Sequence, residues 1–257
     1  MDLGLAGRTA VVCGSTSGLG LAVARALAAE GAQVVVSGRR GDAARAEAAR
    51  LPSALGVEVD LADPEGPARL VEEARRCFGV VDVLVLNAGG PPPGPAADLT
   101  LESTEAALRT LLLAQLRLVQ LVLPEMRERR WGRLVAIGSS GVQQPLPNLV
   151  LSNVGRAGLA AYLKTLAAEV AADGVTANMV LPGRIDTDRV AALDRGAAER
   201  AGIDQAEARR RSETTIPAGR YGTPEEFAAV VAFLCSTGAA YVTGEQVRCD
   251  GGLVRSF

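Results

Sequence analysis

Short apolar runs alternate along the chain with longer segments in which apolar residues recur at helical spacing. The runs are rich in Val, Leu and Ala and are continuous rather than alternating, which is typical of strands buried on both faces. Strands are predicted over residues 9–13, 33–37, 56–59, 82–86, 133–137, 175–180 and 246–249. Helices are predicted over residues 19–29, 41–51, 64–78, 101–129, 152–172 and from 223 to about 235.

This alternation predicts a single doubly wound α/β domain, with a seven-stranded parallel sheet and helices on both faces. Neither a linker nor a short internal repeat interrupts residues 1–257, so one domain is expected. Residues 183–222 form a long, charged, Arg-rich stretch that predicts a helical insertion over the sheet edge. This insertion is interpreted as a substrate-side lid, and a solvated surface excursion is the alternative.

Local signals place some helix boundaries. Asp63 before Pro64 predicts an N-cap followed by proline in the first helical position. The sequence Thr223-Pro224-Glu225-Glu226 is a capping box with proline inside it. Pro124 lies within the longest predicted helix and is expected to kink it.

Composition excludes several classes of protein. The chain has 257 residues, 48% hydrophobic and 22% charged, and a formal net charge of -2 without a basic stripe, which argues against nucleic-acid binding. No uninterrupted run of 18 apolar residues is present, so no membrane span is expected. The first residues lack a basic segment typical of a secretion signal, and a cytoplasmic location is expected.

Candidate reactive side chains are few. The chain has no His, one Lys (Lys164) and three Tyr residues. The four Cys residues lie far apart without CxxC pairing, which predicts buried thiols in a reducing cytosol rather than a zinc site or disulfides. No metal site is therefore expected, and imidazole acid–base chemistry is excluded.

A glycine-rich turn follows the first predicted strand and opens the first predicted helix. Glycines permit a tight turn and a close approach of phosphate to the backbone, and the helix N-terminus offers free N–H groups. In this strand–turn–helix context the pattern predicts a dinucleotide site. Its residues are Gly14, Ser15, Thr16, Ser17, Gly18, Leu19 and Gly20.

The end of the second predicted strand indicates which dinucleotide is bound. An acidic residue here would bind both ribose hydroxyls of NAD, but Gly38 occupies the expected position. Arg39 follows and can pair with a 2'-phosphate, which favours NADP(H), although NAD(H) remains possible. Asp60 ends the third predicted strand and is expected to bind the adenine amino group.

These motifs together resemble the short-chain dehydrogenase/reductase family of oxidoreductases, and within it the 3-oxoacyl-acyl-carrier-protein reductase branch. The resemblance covers nearly the whole chain and implies a Rossmann fold and a homotetramer or homodimer. It also implies that Asn87 stabilises the sheet and Gly89 lines the cofactor, while a later loop holds the nicotinamide carboxamide. The matching motifs are Gly14/Gly18/Gly20, Asp60-Leu61, Asn87-Ala88-Gly89, Asn178, Pro182-Gly183 with Ile185 and Thr187, and Asp250-Gly251-Gly252.

The family's catalytic residues are an Asn, a Ser, a Tyr and a Lys, and the resemblance places different residues at three of these positions. Ser152 stands where the Tyr is expected and Arg156 where the Lys is expected. Ser139 matches the catalytic serine, with Ser140 as the alternative. Leu111 takes the place of the Asn. Tyr162 is displaced from Ser152 by about 15 Å along a helix, too far to substitute for the missing phenol.

Two functions compete on this basis. The first, which we favour, is NADP(H)-dependent reduction of a small carbonyl compound, or oxidation of the alcohol, of the 3-oxoacyl type. Ser139 and Ser152 would hold the substrate oxygen, Arg156 would bind the nicotinamide ribose and stabilise negative charge, and water would supply the proton. The second is a catalytically impaired dinucleotide-binding protein that acts as a sensor or partner subunit.

Overall fold

A parallel seven-stranded sheet forms the centre of the computed structural model, which describes residues 2–256. The strand order is β3-β2-β1-β4-β5-β6-β7, so the chain reverses direction across the sheet between β1 and β4. The strands are β1 (Thr9–Val12), β2 (Gln33–Gly38), β3 (Ala54–Glu58), β4 (Val83–Leu86), β5 (Gly132–Ile137), β6 (Val175–Pro182) and β7 (Gln246–Cys249). The predicted doubly wound α/β fold is confirmed.

Nine α-helices accompany the strands within the described residues. They are α1 (Gly18–Ala29), α2 (Gly41–Ala48), α3 (Gly66–Phe78), α4 (Leu101–Leu108), α5 (Ala114–Glu128), α6 (Val150–Val170), α7 (Asp188–Ala201), α8 (Gln205–Glu213) and α9 (Pro224–Cys235). One apolar cluster lies between the sheet and α3, α5 and α6, and a second lies between the sheet and α1, α2 and α9. Both faces of the sheet are therefore covered, which explains the continuous apolar strands.

The predicted start of α3 is wrong. The helix begins at Gly66, with Glu65 at the N-cap and Pro67 in the first turn. The Asp63 carboxylate accepts a hydrogen bond from the Glu65 N–H at 3.0 Å, and the Asp63 carbonyl accepts one from the Gly66 N–H at 2.9 Å. Asp63 thus closes a turn before the helix, because Asp side chains compete for nearby backbone donors in turns as well as at caps.

The long predicted helix is divided by a π-helical turn, and the kink expected at Pro124 stays a prediction. A π-helical turn spans Arg109–Leu113 between α4 and α5, whereas Pro124 stays inside α5. The Gln115 side chain donates a hydrogen bond to the Thr110 carbonyl at 2.8 Å, which satisfies an acceptor within the wider turn.

The stretch Leu101–Glu128 is long and apolar enough to cross a membrane by length and composition, with a mean hydropathy of 1.5 in its best window. The sequence expectation concerned an uninterrupted run of 18 apolar residues, and Arg109, Gln115 and Arg117 interrupt this stretch, so the expectation of no membrane span stays an expectation. In this fold α5 packs against α3 and α6, and 39% of that window is buried. Leu113 remains 57% exposed in this stretch.

The cysteines are free in the structure, but they are not all buried. Cys13 and Cys235 are buried, Cys249 is partly buried and Cys77 is exposed on α3, so the expectation of buried thiols holds for two of the four cysteines. Among residues 2–256, no group of His, Cys, Asp and Glu side chains is arranged to hold a metal ion.

The stretch 183–222 contains the helices α7 and α8, and its two ends are joined by backbone hydrogen bonds. The Asp186 N–H donates to the Gly222 carbonyl, and the Gly222 N–H donates to the Arg184 carbonyl, both at 2.9 Å. The capping box at Thr223 is present, with the Thr223 hydroxyl accepting from the Glu226 N–H at 3.2 Å. The two backbone hydrogen bonds hold the ends of the stretch 183–222 beside each other.

Candidate active site and cofactor cleft

Two adjoining clefts open at the carboxyl ends of the central strands, where parallel α/β sheets bind ligands. The first, of about 420 Å³, is called the reaction cleft below, and the second, of about 780 Å³, the nucleotide cleft. They share a floor built from the glycine turn after β1 and the loop after β4. The shared residues are Gly14, Ser17, Asn87, Ala88, Gly89 and Gly90.

The glycine turn has the backbone shape that its sequence predicts. Gly14 and Gly18 have φ values of +55° and +57°, a region that favours glycine. A Cβ atom on Gly20 would lie 2.4 Å from the Gly14 carbonyl oxygen, so this close approach also requires glycine. The Asn87 amide donates to the carbonyls of Cys13 and Gly14, at 3.1 and 3.2 Å, and so ties the turn to the end of β4.

The N-terminus of α1 is suited to an anionic ligand. Ser17 occupies the N-cap position with extended backbone, but its side chain makes no capping hydrogen bond, so it leaves the first-turn N–H groups uncapped. Leu19 also lines the reaction cleft. Ser15 does not line either cleft. Its hydroxyl donates to the Val12 carbonyl at 2.6 Å and accepts from the Ser37 N–H at 2.9 Å, which joins β1 to β2.

The far end of the nucleotide cleft carries two arginines rather than the one predicted. Arg39 and Arg40 both line it, together with Thr16, Asp60 and Leu61. Arg40 donates a hydrogen bond to the Thr16 hydroxyl at 3.3 Å. A Cβ atom on residue 38 would lie 2.9 Å from the Thr16 Cγ2 atom, so a side chain at Gly38 would displace Thr16. Arg40 directly follows Arg39 in the sequence, and this adjacency could have identified Arg40 as a second candidate for the cleft.

The three predicted catalytic side chains meet in the reaction cleft. Ser139 follows β5, and Ser152 and Arg156 lie one turn apart on α6. The Ser139 hydroxyl accepts from the Gly141 N–H at 3.1 Å. Ser140 also lines the cleft, so both serines named from the sequence are present. Ser152 is 8% exposed, and its hydroxyl has no hydrogen-bond partner among the described residues.

Arg156 is held by backbone carbonyls. Its guanidinium donates to the carbonyl of Ile137 at the end of β5 and to the carbonyl of Ala88 at 3.3 Å. Within residues 2–256 it forms no ion pair with a carboxylate. Burial and, to a smaller extent, the positive charge of Arg189 together lower the pKa of Arg156 to about 10. The cleft thus contains a fixed cation that the protein leaves without a counter-ion.

No tyrosine or lysine lines the reaction cleft in the described part of the chain. Tyr162 lies further along α6, where burial raises its pKa. Tyr221 is 4% exposed and donates to the Asp194 carboxylate at 3.0 Å, and Tyr241 is fully exposed. Lys164 donates to the Gly244 carbonyl at 2.8 Å, away from the cleft.

Leu111, at the predicted position of the family's Asn, lies in the π-helical turn and is 2% exposed. A Cβ atom on Gly155 would lie 2.8 Å from the Leu111 Cβ atom, so this leucine packs directly on the residue before Arg156. An apolar side chain here cannot hydrogen-bond to the cleft.

The loop after β6 forms the opposite wall. Pro182, Gly183, Ile185 and Thr187 line the reaction cleft as expected, and the Thr187 hydroxyl caps α7. The sequence interpretation missed Arg184 and Arg189 in this wall. Arg189 donates to the Pro91 carbonyl at 2.8 Å and so links α7 to the loop after β4. In the sequence, only the Arg-rich composition of residues 183–222 could have indicated Arg184 and Arg189.

Comparison with known proteins defines the class. Residues 14–254 match the family model described as "Enoyl-(Acyl carrier protein) reductase". The chain belongs to the short-chain dehydrogenase/reductase family, as the sequence resemblance indicated.

Among curated relatives, the 3-oxoacyl-(acyl-carrier-protein) reductase FabG of Aquifex aeolicus is 35% identical over 258 residues, covering 98% of this chain and 100% of that protein. The protein of the same name from Escherichia coli is 36% identical over 250 residues, covering 96% and 97%.

The similar solved structures are also described as reductases. L-Sorbose reductase from Gluconobacter frateurii, complexed with NADPH and L-sorbose, matches with a TM-score of 0.93 at 35% identity, covering 100% of both chains. YwfH, an NADPH-dependent reductase involved in bacilysin biosynthesis, matches with a TM-score of 0.91 at 27% identity, covering 97% of this chain and 99% of YwfH.

Proposed function

We propose that the protein is an NADP(H)-dependent reductase of small carbonyl compounds that works without the phenol used by its family. The observation that carries this proposal is the pair of joined clefts, with two arginines at one end and Ser139, Ser152 and Arg156 at the other. The reductases that resemble the chain, several of them with NADPH in their descriptions, support the same class of reaction.

The choice of NADP(H) rests on the nucleotide cleft. Gly38 leaves no acidic group for the ribose hydroxyls, and Arg39 and Arg40 can pair with a 2'-phosphate through charge-assisted hydrogen bonds. The diphosphate would lie against the uncapped N-terminus of α1, beside Gly14 and Gly18. Pro182, Gly183, Ile185 and Thr187 would hold the nicotinamide carboxamide.

The catalytic residues would act through positioning and charge. When bound, the reduced nicotinamide supplies a hydride to the carbonyl carbon. Ser139 and Ser152 donate hydrogen bonds to the carbonyl oxygen, and Arg156 stabilises the negative charge that develops there. In this proposal Ser152 and Arg156 replace the Tyr and Lys of the family, so water provides the proton. General acid–base groups typically contribute about 10²–10⁴-fold, so turnover slower than that of the family is expected.

A simple assay tests the proposal. Purified protein is mixed with NADPH and a panel of ketones and 3-oxoacyl thioesters, and NADPH absorbance is followed. Cofactor binding is measured separately by the change in NADPH fluorescence. Oxidation of NADPH with at least one carbonyl compound is the expected result. Binding without oxidation across the panel would overturn the proposal in favour of a dinucleotide-binding sensor or partner subunit.

The same proposal includes a lid and an assembly. Residues 183–222 would cover the bound substrate, because Thr187, Arg189 and Leu193 of this stretch line the reaction cleft.

A homotetramer or homodimer would cover exposed apolar side chains on the outer helices, where Leu113 and Val154 are 57% and 48% exposed. The free thiols fit a reducing cytosol. Light scattering of the purified protein would test the assembly.

A further inference from the structure

A third cavity, called the second chamber below, adjoins the reaction cleft on the side of the insertion. It measures about 390 Å³ and shares Ser140, Leu146, Arg184 and Leu253 with the reaction cleft. The other residues that line it are Gln144, Arg211, Ser212, Thr215 and Val254. None of the nine residues that line the second chamber is acidic, and two of them, Arg184 and Arg211, are arginines. A molecule that reaches from the reaction cleft into this chamber must pass Arg184.

Arg184 carries a guanidinium whose N–H donors form no hydrogen bond within the described residues. One of its terminal nitrogens lies 3.6 Å from an Asp194 carboxylate oxygen, and its side chain is 36% exposed. It makes no side-chain hydrogen bond to any residue in 2–256. A guanidinium has five N–H donors in a rigid fork that matches a carboxylate, so most of this binding capacity remains available to a ligand.

The Arg184 side chain faces the carboxylate of Asp194. Asp194 lies on α7, is 4% exposed, and accepts hydrogen bonds from the Tyr221 hydroxyl at 3.0 and 3.1 Å. A buried carboxylate is retained only where it is paired and hydrogen-bonded, and Tyr221 and Arg184 supply these partners. Tyr221 thus orients the Asp194 carboxylate, whose charge faces the Arg184 guanidinium at the boundary between the two cavities.

The charges around the cavities favour an anion. In the second chamber, Arg211 is paired with Glu207, the guanidinium donating at 2.9 Å. In the reaction cleft, Arg156 and Arg189 form no ion pair among the described residues, and Asp188 is the single acidic residue in the lining. A substrate carboxylate would give the cleft's guanidinium groups an anionic partner in addition to their backbone acceptors, which a neutral substrate cannot supply.

We propose that the natural substrate is an oxo acid, whose carboxylate binds Arg184 at the entrance to the second chamber while its carbonyl group lies beside Ser152. This proposal rests on the reductase function proposed above and specifies its substrate class. Asp194 and Tyr221 are positioning residues, because they act on the substrate only through Arg184. The apolar side chains of Leu146 and Leu253 line the path between carbonyl and carboxylate and fit a short hydrocarbon spacer.

Matched pairs of probes test this proposal. Acetoacetate and levulinate are compared with their methyl esters by titration calorimetry of the NADPH complex. Each acid is expected to bind about 10- to 100-fold more tightly than its ester, because a charge-assisted bidentate contact is lost in the ester. Equal binding of acid and ester by the wild-type protein would overturn the proposal.

Substitutions locate the contact. Arg184→Gln is expected to remove the preference for acid over ester, and Arg184→Lys to restore part of it. Arg200→Gln, on the exposed surface of α7, is the matched control and should leave the preference unchanged. Loss of the preference in Arg211→Gln but not in Arg184→Gln would overturn the assignment to Arg184. NADPH affinity, measured by fluorescence, should be the same in all four variants.

Tyr221→Phe separates positioning from stability. The phenyl ring keeps its packing, including the Arg209 guanidinium 4.6 Å above it, but the hydrogen bonds to Asp194 are lost. The expected result is an increase in KM for the acids with little change in kcat or in KM for the esters. A lower Tm with an unchanged acid-to-ester ratio would contradict the positioning role.

The two proposals fail in different ways. Calorimetry reports acid binding even if no carbonyl compound is reduced, in which case the proposed reaction is wrong and the anion site stands. Reduction of the esters alone, with no preference for acids in binding, would retain the reductase function and overturn the oxo-acid assignment.

Discussion

Ser152 and Arg156 lie four residues apart on α6, and both side chains line the reaction cleft. Residues at this spacing share one face of a helix, so a hydroxyl and a guanidinium can reach the same substrate atom. The guanidinium remains charged and cannot pass a proton, because its pKa is far above neutrality. The pair can therefore bind and polarise a carbonyl oxygen, but it lacks a strong proton donor.

Restoring the family's residues should increase turnover. The double variant Ser152→Tyr with Arg156→Lys places a phenol and an ammonium at this spacing, and kcat for carbonyl reduction is expected to rise by at least about tenfold, within the range for general acid catalysis. The increase is measured by NADPH oxidation with saturating substrate. Unchanged kcat in a double variant that still binds NADPH would contradict the proposed roles of these positions.

The two arginines of the nucleotide cleft should select NADP(H). Arg39→Ala and Arg40→Ala are each expected to weaken NADPH binding by about tenfold or more, through loss of charge-assisted hydrogen bonds to the 2'-phosphate, with little effect on NADH. Fluorescence titration measures both dissociation constants. Arg76→Ala, an exposed arginine on α3, is the control. An equal loss of affinity for NADPH and NADH would refute the phosphate contact.

The reaction should depend on pH in an unusual way. Because burial lowers the pKa of Arg156 to about 10, the side chain is charged below that pH and loses its charge as the pH rises through it. The rate of hydride transfer is expected to be nearly constant between about pH 6 and pH 9, where no proposed catalytic group titrates, and to fall above about pH 10.

Single-turnover measurement of NADPH oxidation across this range gives the profile. Arg156→Gln, which cannot titrate, should be slower and should lose the alkaline fall. A bell-shaped profile centred near neutral pH would show that another acid or base acts in the cleft.

The glycine turn should not tolerate a methyl group at Gly20. The added Cβ atom would lie 2.4 Å from the Gly14 carbonyl oxygen, so Gly20→Ala is expected to lower the free energy of unfolding by about 1–3 kcal/mol and to weaken cofactor binding. Chemical denaturation and NADPH titration measure the two effects.

Gly196→Ala in α7 is the matched control. There the new Cβ atom meets only the flexible end of Arg200, at 3.4 Å, so stability should be unchanged or increased by up to about 1 kcal/mol. Similar losses in both alanine variants would contradict the close-approach argument for Gly20.

The parts of the fold that local sequence encodes were predicted well. Continuous apolar runs located β1, β2, β4, β5 and β6, which are buried along most of their length. The edge strands β3 and β7 are only partly buried, and they were recognised from the alternation of strands and helices. The capping box at Thr223 was equally local. The boundary at Asp63 was not predicted correctly, because the same side chain can cap a helix or close the turn before it.

The parts of the site that depend on tertiary contacts were predicted less completely. Motif spacing brought Ser139, Ser152 and Arg156 into one cleft. Arg184 and the buried pair of Asp194 and Tyr221 escaped notice, because their partners lie on different elements of the insertion. Nothing in the spacing of these three residues indicates that they meet.

Transfer of deuterium from the cofactor to a product tests the central claim most directly. NADPH that carries deuterium at both C4 positions is incubated with the protein and a carbonyl compound that is reduced in the absorbance assay, or with the full panel, and the products are analysed by mass spectrometry. The account predicts an alcohol that carries deuterium on the former carbonyl carbon. Tight NADPH binding with no deuterated alcohol from any compound, at any protein concentration, would contradict it.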